Sequence, residues 1–208
     1  MDSKEEQSME QSILEAAEKL FLEKGFASTS TTQIAREVGC NQALVHYYYR
    51  TKENLFNTIF ETKFKLLFEY IFKAQVFDEG LTFTEKVKRV AQSHFDMLIE
   101  NPKIPTLVVN ELARMLENLK YLREKLQVIP SPVFLQFSKE LAIEIEAGRA
   151  RKTDVIDILI TMITLNAGFF MFLPMAKGIL QLDDDQLKEL IAHRREENAI
   201  AVVNFTKP

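Results

Sequence analysis

The chain has 208 residues, 47% of them hydrophobic and 27% charged, with 6 glycines and 6 prolines. That is globular composition, which excludes a disordered, collagenous or turn-rich all-β protein and leaves room for one or two small domains with a real core. There are 26 basic and 30 acidic side chains, a net charge of -4, so bulk charge does not point to nucleic acid. The single cysteine, Cys40, has no internal disulfide partner, and Met1 to Glu6 lacks a basic segment backed by an apolar stretch, so a cytoplasmic location is expected.

Apolar residues recur at spacings of three and four nearly throughout, which predicts an all-α protein of about nine helices. A first helix is expected over Ser8–Lys24, after a polar tail, with Ile13, Leu14, Ala17, Leu20 and Phe21 on one stripe and Gly25 as its stop. Ser30 and Gln33 have the spacing of a capping box, opening a second helix that runs to Gly39. A short third helix begins at Gln42 and breaks near Arg50. Thr51 is placed to cap a fourth, long helix continuing to about Asp78. Thr82 and Glu85 form another capping box, for a helix that ends before Asn101–Pro102. A further helix is expected from Pro132 to Ala147, stopped by Gly148.

Thr153 is the expected cap of the next helix, and Gly178 with Asp183–Asp185 marks the boundary before the last one, which runs to about Asn204. Residues 158–176 carry no charge over 19 positions. Such a run is long enough for a membrane span, but Thr161, Thr164, Asn166 and Pro174 within it favour a buried helix of a soluble protein.

The second and third helices, joined through Gly39-Cys40-Asn41, have the layout of a helix-turn-helix. Around it stand Gly25-Phe26, Thr29-Ser30, Ile34-Ala35, Val38-Gly39, Val45-His46-Tyr47-Tyr48-Tyr49 and Thr51-Lys52-Glu53-Asn54-Leu55. These residues resemble the N-terminal signature of the tetracycline-repressor (TetR) family of transcriptional regulators over residues 10 to 56. The resemblance implies a homodimer with a three-helix DNA-binding head, here residues 1–55, and a helical body, residues 56–208, that dimerises and holds a small, largely apolar effector. It implies a repressor binding a pseudo-palindromic double-stranded DNA operator. No membrane partner and no cofactor are expected. The other reading left open is a helical interaction or small-molecule-binding protein whose head is inactive.

At the head, Gln42 opens the third helix, where its amide suits an adenine or guanine edge, and Ala43 is small enough for close approach or a thymine methyl. His46 lies one turn on, on the same face, with the capacity to donate to a base or phosphate; a solvent-exposed or packing histidine is its other reading. The family more often has Tyr there, so His46 is a departure that alters sequence preference. Tyr47 and Tyr48 match the family's phosphate-contacting aromatics, whereas Tyr49 matches a core position. Lys52, beside the Thr51 cap, is a candidate anion site, and Thr31 and Thr32 are the other phosphate candidates. Cys40 stands where the family usually has a small apolar residue, and reads as filler.

Residues 1–55 carry nine acids against six bases, but seven of the nine acids precede Gly25. The expected binding mode therefore relies on neutral hydrogen bonds more than on charge. In the body, the resemblance implies a pocket for which Phe68, Phe72, Phe95, Leu98, Phe134, Phe137 and Met162 are apolar candidates, with Asn110, Glu111, Arg114 and Asn166 as the polar minority. The two C-terminal helices are the expected dimer surface. No phosphate loop, nucleophile motif or metal-ligand spacing is present in the sequence, which argues against an enzyme.

Overall fold

The computed structural model describes residues 3–73, 80–109 and 132–208. Among the described residues the helices are α1 (Ser3–Lys24), α2 (Thr31–Val38), α3 (Gln42–Tyr49), α4 (Lys52–Lys73), α5 (Phe83–Glu100), α6 (Pro132–Glu146), α7 (Val155–Leu180) and α8 (Asp184–Thr206), and residues 104–109 are helical as well. The protein is all-α. Of the described residues, 3–65 and 106–109 form one compact unit, and 66–73, 80–105 and 132–208 form the other.

The first unit is built around a core in which each helix contributes one buried stripe. Ile13, Ala17, Leu20 and Phe21 of α1 meet Ile34 and Ala35 of α2, Val45 and Tyr49 of α3, and Leu55, Phe56 and Ile59 of α4. Phe21, Phe26 and Phe56 make a triangle of rings with centroids 5.4–5.6 Å apart, the edge-to-face range that favours aromatic pairs. α1 begins at Ser3, so the stretch expected as a polar tail continues the helix. Its Lys-Glu-Glu-Gln segment has good helix propensity and holds no breaker.

The capping signals formed as read. Ser30 accepts from the Gln33 N–H while the Gln33 side chain accepts from the Ser30 N–H. Gly39, at φ 78°, closes α2 so that the Cys40 N–H reaches back to the Ala35 carbonyl at 2.9 Å, a turn only glycine makes without steric cost. Cys40 packs, half-buried, against the edge of the core.

In the second unit α5 packs on α7 and α8. Two boundaries differ from expectation. The cap of α7 is Asp154, not Thr153, because the Asp154 carboxylate accepts from the Asp157 N–H at 2.9 Å and a charged acceptor suits the positive helix end. Gly178 lies inside α7. The helix runs on to a left-handed cap at Gln181, φ 53°, and Asp183 then caps α8. Among the described residues, one face of α7 is covered. Ile156, Ile160, Ile163, Met171, Met175 and Ile179 stand exposed along the other, at spacings of three, four and eight.

Where the three helices meet, a polar chain runs through the core. The buried Asn166 amide donates to the Ala91 carbonyl at 3.0 Å and to His94 Nδ1 at 3.1 Å, and its oxygen accepts from Asn198 at 3.0 Å. Asn198 also donates to the Leu165 carbonyl. Each atom so named has its partner, as a buried network must to be tolerated. A bidentate pair between Arg195 and Asp96, at 2.6 and 2.7 Å, ties α8 to α5 nearer the surface, and the buried Lys86 ties α5 to Glu140 of α6 at 2.8 Å.

Burial pushes His94 down from the usual 6.5 to about 4, so the ring is neutral in the folded protein. The unfolded chain takes up this proton first as the pH falls, so stability present above about pH 6.5 is lost progressively towards pH 4. Urea unfolding is expected to show a loss of about 2 kcal/mol from this group between pH 7.5 and pH 5. A His94→Asn variant, which keeps an acceptor for Asn166 but cannot titrate, is expected to lack that component when compared at the same two pH values.

Candidate nucleic-acid interface

α3 has eight residues, too few to persist alone, and its conformation is set by what holds it. Val45 and Tyr49 anchor its inner face, and the Tyr49 hydroxyl donates to the Glu10 carbonyl at 3.2 Å. The Asn41 side chain caps its start by accepting from the Leu44 N–H at 2.9 Å. Its opposite face presents Gln42, Ala43, His46 and Tyr47, all exposed, with Tyr47 at 71% of its free surface. The Tyr48 ring lies half-buried, edge-on to Tyr47 with centroids 5.1 Å apart.

Four of the expected contact residues come together. Gln42 Nε2 donates to the Thr31 hydroxyl at 2.9 Å, and the Thr32 hydroxyl donates to Gln42 Oε1 at 3.1 Å, so the start of α2 clamps the start of α3. Gln42 Nε2 also lies 3.2 Å from His46 Nε2, and His46 Nδ1 lies 2.9 Å from the Arg50 carbonyl. The polar face is thus organised before any ligand arrives.

Lys52 is placed differently from the phosphate-binding expectation. Its ammonium donates to the carbonyls of Phe26 and Thr29, at 2.9 and 2.8 Å, and sits 4.0 Å from the Phe26 ring centroid. Two of its three N–H donors are committed to the loop between α1 and α2. The loop is pinned on its other side by the buried Thr29, whose hydroxyl donates to the Gly25 carbonyl at 2.9 Å. Thr51 caps α4 by accepting from the Asn54 N–H at 3.1 Å.

Arg50 escaped the sequence reading. It has φ 60° and ψ -52°, and the Thr51 N–H donates across it to the Tyr49 carbonyl at 2.6 Å, a tight γ-turn that costs a non-glycine residue about 1–3 kcal/mol. Nothing in the residue type announces such a turn. Arg50 is exposed and adds a basic residue at the end of α3. The nearest acid on α2, Glu37, is engaged by Lys19 at 2.6 Å, a hydrogen bond and charge that hold its carboxyl below the ordinary range, and Glu18 pairs with Lys63.

The candidate pocket residues of the second unit fall in separate clusters. Phe95 and Leu98 pack with Met97 and Phe170, Phe169 stacks on Phe95, and Met162 belongs to the cluster of Phe83, Val87 and Leu141, against which Phe134 and Phe137 pack. Asn166 is the centre of the buried polar chain. Asn110, Glu111 and Arg114, and the side chains of Phe68 and Phe72, lie outside the described residues.

A capped glycine turn between two short helices, with the second offering an exposed polar face, defines a helix-turn-helix head. The model of the tetR family of bacterial regulatory proteins matches residues 13–59, the same segment, so the head of this chain is similar to the heads of those regulators. It is 30% identical over 128 residues to the HTH-type transcriptional regulator YhgD of Bacillus subtilis (strain 168), covering 55% of this chain and 65% of that one. It is 26% identical over 117 residues to the fatty acid metabolism regulator protein of the same organism, covering 56% and 58%. The chain thus spans somewhat less than two thirds of each relative. The crystal structure of a TetR family transcription regulator from Marinobacter aquaeolei VT8 shares the fold at a TM-score of 0.69 and 15% identity, over 99% of both chains.

Replacing Lys52 with Met keeps the length and apolar stem of the side chain and removes the ammonium from two carbonyls. We expect Lys52→Met to lower the stability of the folded protein by about 2 kcal/mol, read from urea unfolding followed by circular dichroism.

Proposed function

We propose that the protein is a dimeric, ligand-responsive transcriptional repressor whose head, residues 1–55, binds a pseudo-palindromic operator and whose body, residues 56–208, carries the dimer contact and the effector site. The observation that carries this reading is the pre-organised face of α3, with Gln42, Ala43, His46 and Tyr47 exposed together and Thr31 and Thr32 beside them. Gln42, Ala43 and His46 are assigned to bases, and Tyr47, Tyr48, Thr31 and Thr32 to phosphates. The remaining N–H of Lys52 is available to a phosphate at the start of α4.

The exposed stripe of α7 is assigned to the dimer. α7 is long and apolar enough to cross a membrane, with 28% of its most apolar window buried in the chain. Its other face, however, is packed on α5 and α8 and carries Asn166 inside a hydrogen-bonded network, which suits a helix shared between protein surfaces. A two-fold partner seated on the same stripe would give the assembly two α3 helices, one for each half of a pseudo-palindromic operator. This reading places the protein in the cytoplasm. Within the body, the aromatic cluster of Phe95, Phe169 and Phe170 favours a largely apolar effector. The name of the fatty acid metabolism regulator makes fatty acids and their thioesters the first compounds to screen.

The test is selection from a random double-stranded DNA library at about 0.1 M salt, with Tyr47→Phe run beside the wild type. Wild type is expected to enrich a palindrome, and the variant, which keeps the ring but loses an exposed hydroxyl in both half-sites, to bind it about tenfold more weakly. Absence of any enriched sequence from a folded dimer overturns the reading. In sedimentation, Ile160→Asp with Met175→Asp is expected to convert the dimer to a folded monomer with far weaker operator binding; an unchanged mass excludes the α7 stripe as the interface.

A further inference from the structure

Resting on the DNA-binding reading above, we propose that His46 reads its base as a hydrogen-bond acceptor, and that the backbone turn at Arg50 sets this polarity. An imidazole offers a donor at one nitrogen and an acceptor at the other, and the partner of one nitrogen decides the role of the other. His46 Nδ1 lies 2.9 Å from the Arg50 carbonyl, which only accepts, so Nδ1 carries the proton. Nε2 of the neutral ring is then a bare acceptor. Its neighbour at 3.2 Å is the Gln42 amide nitrogen, which only donates, so the second contact assigns the same proton position as the first. The Gln42 orientation is held in turn by the Thr32 hydroxyl on its oxygen and the Thr31 hydroxyl on its nitrogen.

The carbonyl that fixes the tautomer is aimed by the positive-φ turn. With φ 60° and ψ -52°, Arg50 donates its own N–H to the His46 carbonyl at 2.9 Å while its carbonyl faces the same residue's ring. A residue in ordinary helical or extended conformation there would direct that carbonyl elsewhere. The strain at Arg50 and the tautomer of His46 are one device.

In a major groove, the Nε2 lone pair exchanges the Gln42 N–H for an exocyclic amine, which only adenine N6 and cytosine N4 offer. Guanine presents acceptors at N7 and O6, and thymine an acceptor at O4, which face an acceptor unfavourably. The released Gln42 N–H is then free to donate to a neighbouring base acceptor. The pair therefore selects A or C on the strand that His46 faces, one position in each half-site.

Two measurements on the full chain decide this. The first is histidine nitrogen NMR of the DNA-free protein near neutral pH, with the His46 signals identified by their loss in His46→Gln. His46 is expected to carry its proton on Nδ1, in contrast with the buried His94, whose Nδ1 accepts from Asn166 and whose proton is on Nε2. A proton on Nε2 of His46 overturns the proposal whatever the protein binds.

The second is library selection with wild type, His46→Glu and His46→Arg. Wild type is expected to favour A or C at one position per half-site, the acceptor-only Glu variant to keep C there with weaker overall binding, and the donor-only Arg variant to move to G, each by roughly ten- to a hundredfold over the disfavoured bases. Arg50→Gly, which keeps the turn and removes the side chain, is expected to leave that base unchanged. The same base selected by wild type and by the Arg variant overturns the polarity alone. No motif from the wild type overturns the DNA-binding reading, and the base assignment with it, while the NMR result for the free protein stands separately.

Discussion

An eight-residue helix has no stability of its own, and everything the head offers to a ligand depends on the constraints that hold α3 in place. Those constraints are spread over the whole first unit. Val45 and Tyr49 enter a core to which four helices contribute, Asn41 supplies the cap, and the Thr31 and Thr32 hydroxyls grip Gln42 from the neighbouring helix. Lys52 holds the loop that precedes α2, so the helix carrying those threonines is itself positioned from the start of α4. The exposed face is rigid because its hidden side is.

The same arrangement accounts for how an acidic chain presents a face suited to a polyanion. The net charge of -4 is an average, and electrostatic effects near a surface are local, screened within about 10 Å at ordinary salt. Glu37 and Glu18 are paired with lysines, and Gln42 is held by the uncharged hydroxyls of Thr31 and Thr32. Neutral hydrogen bonds depend on geometry more than on salt, which gives the pre-organisation of this face its importance. In the second unit the Asn166 chain plays a comparable part: polar atoms in a core are tolerated only in the arrangement that satisfies all of them, so they help specify how α5, α7 and α8 meet.

Much of the fold was legible in the sequence because the signals are local. A capping box needs only residues three apart, so Ser30 with Gln33, and Thr82 with Glu85, identify helix starts without knowledge of anything distant. Gly25, Gly39 and Gly148 take positive φ where the reading placed stops. Local signals also misled: Gly178 lies within α7, since packing along a long helix outweighs the modest cost of one glycine, and Thr153 yielded the cap to the stronger acceptor beside it. The sequence grouped the candidate contact residues of the head, but it gave no sign of the carbonyls, 23 and 26 residues earlier in the chain, to which Lys52 donates.

The sequence by itself determined the helical elements, the glycine turn and the resemblance of the head to one family, because each rests on residue types at short, regular spacing. Tertiary structure alone decided the tautomer of His46, the strained turn at Arg50, the commitment of the Lys52 ammonium and the neutrality of His94. All four depend on which groups distant or ordinary-looking residues bring within about 3 Å, or on how completely they exclude water. Hydrogen bonding and desolvation act through space, and no spacing along the chain encodes them.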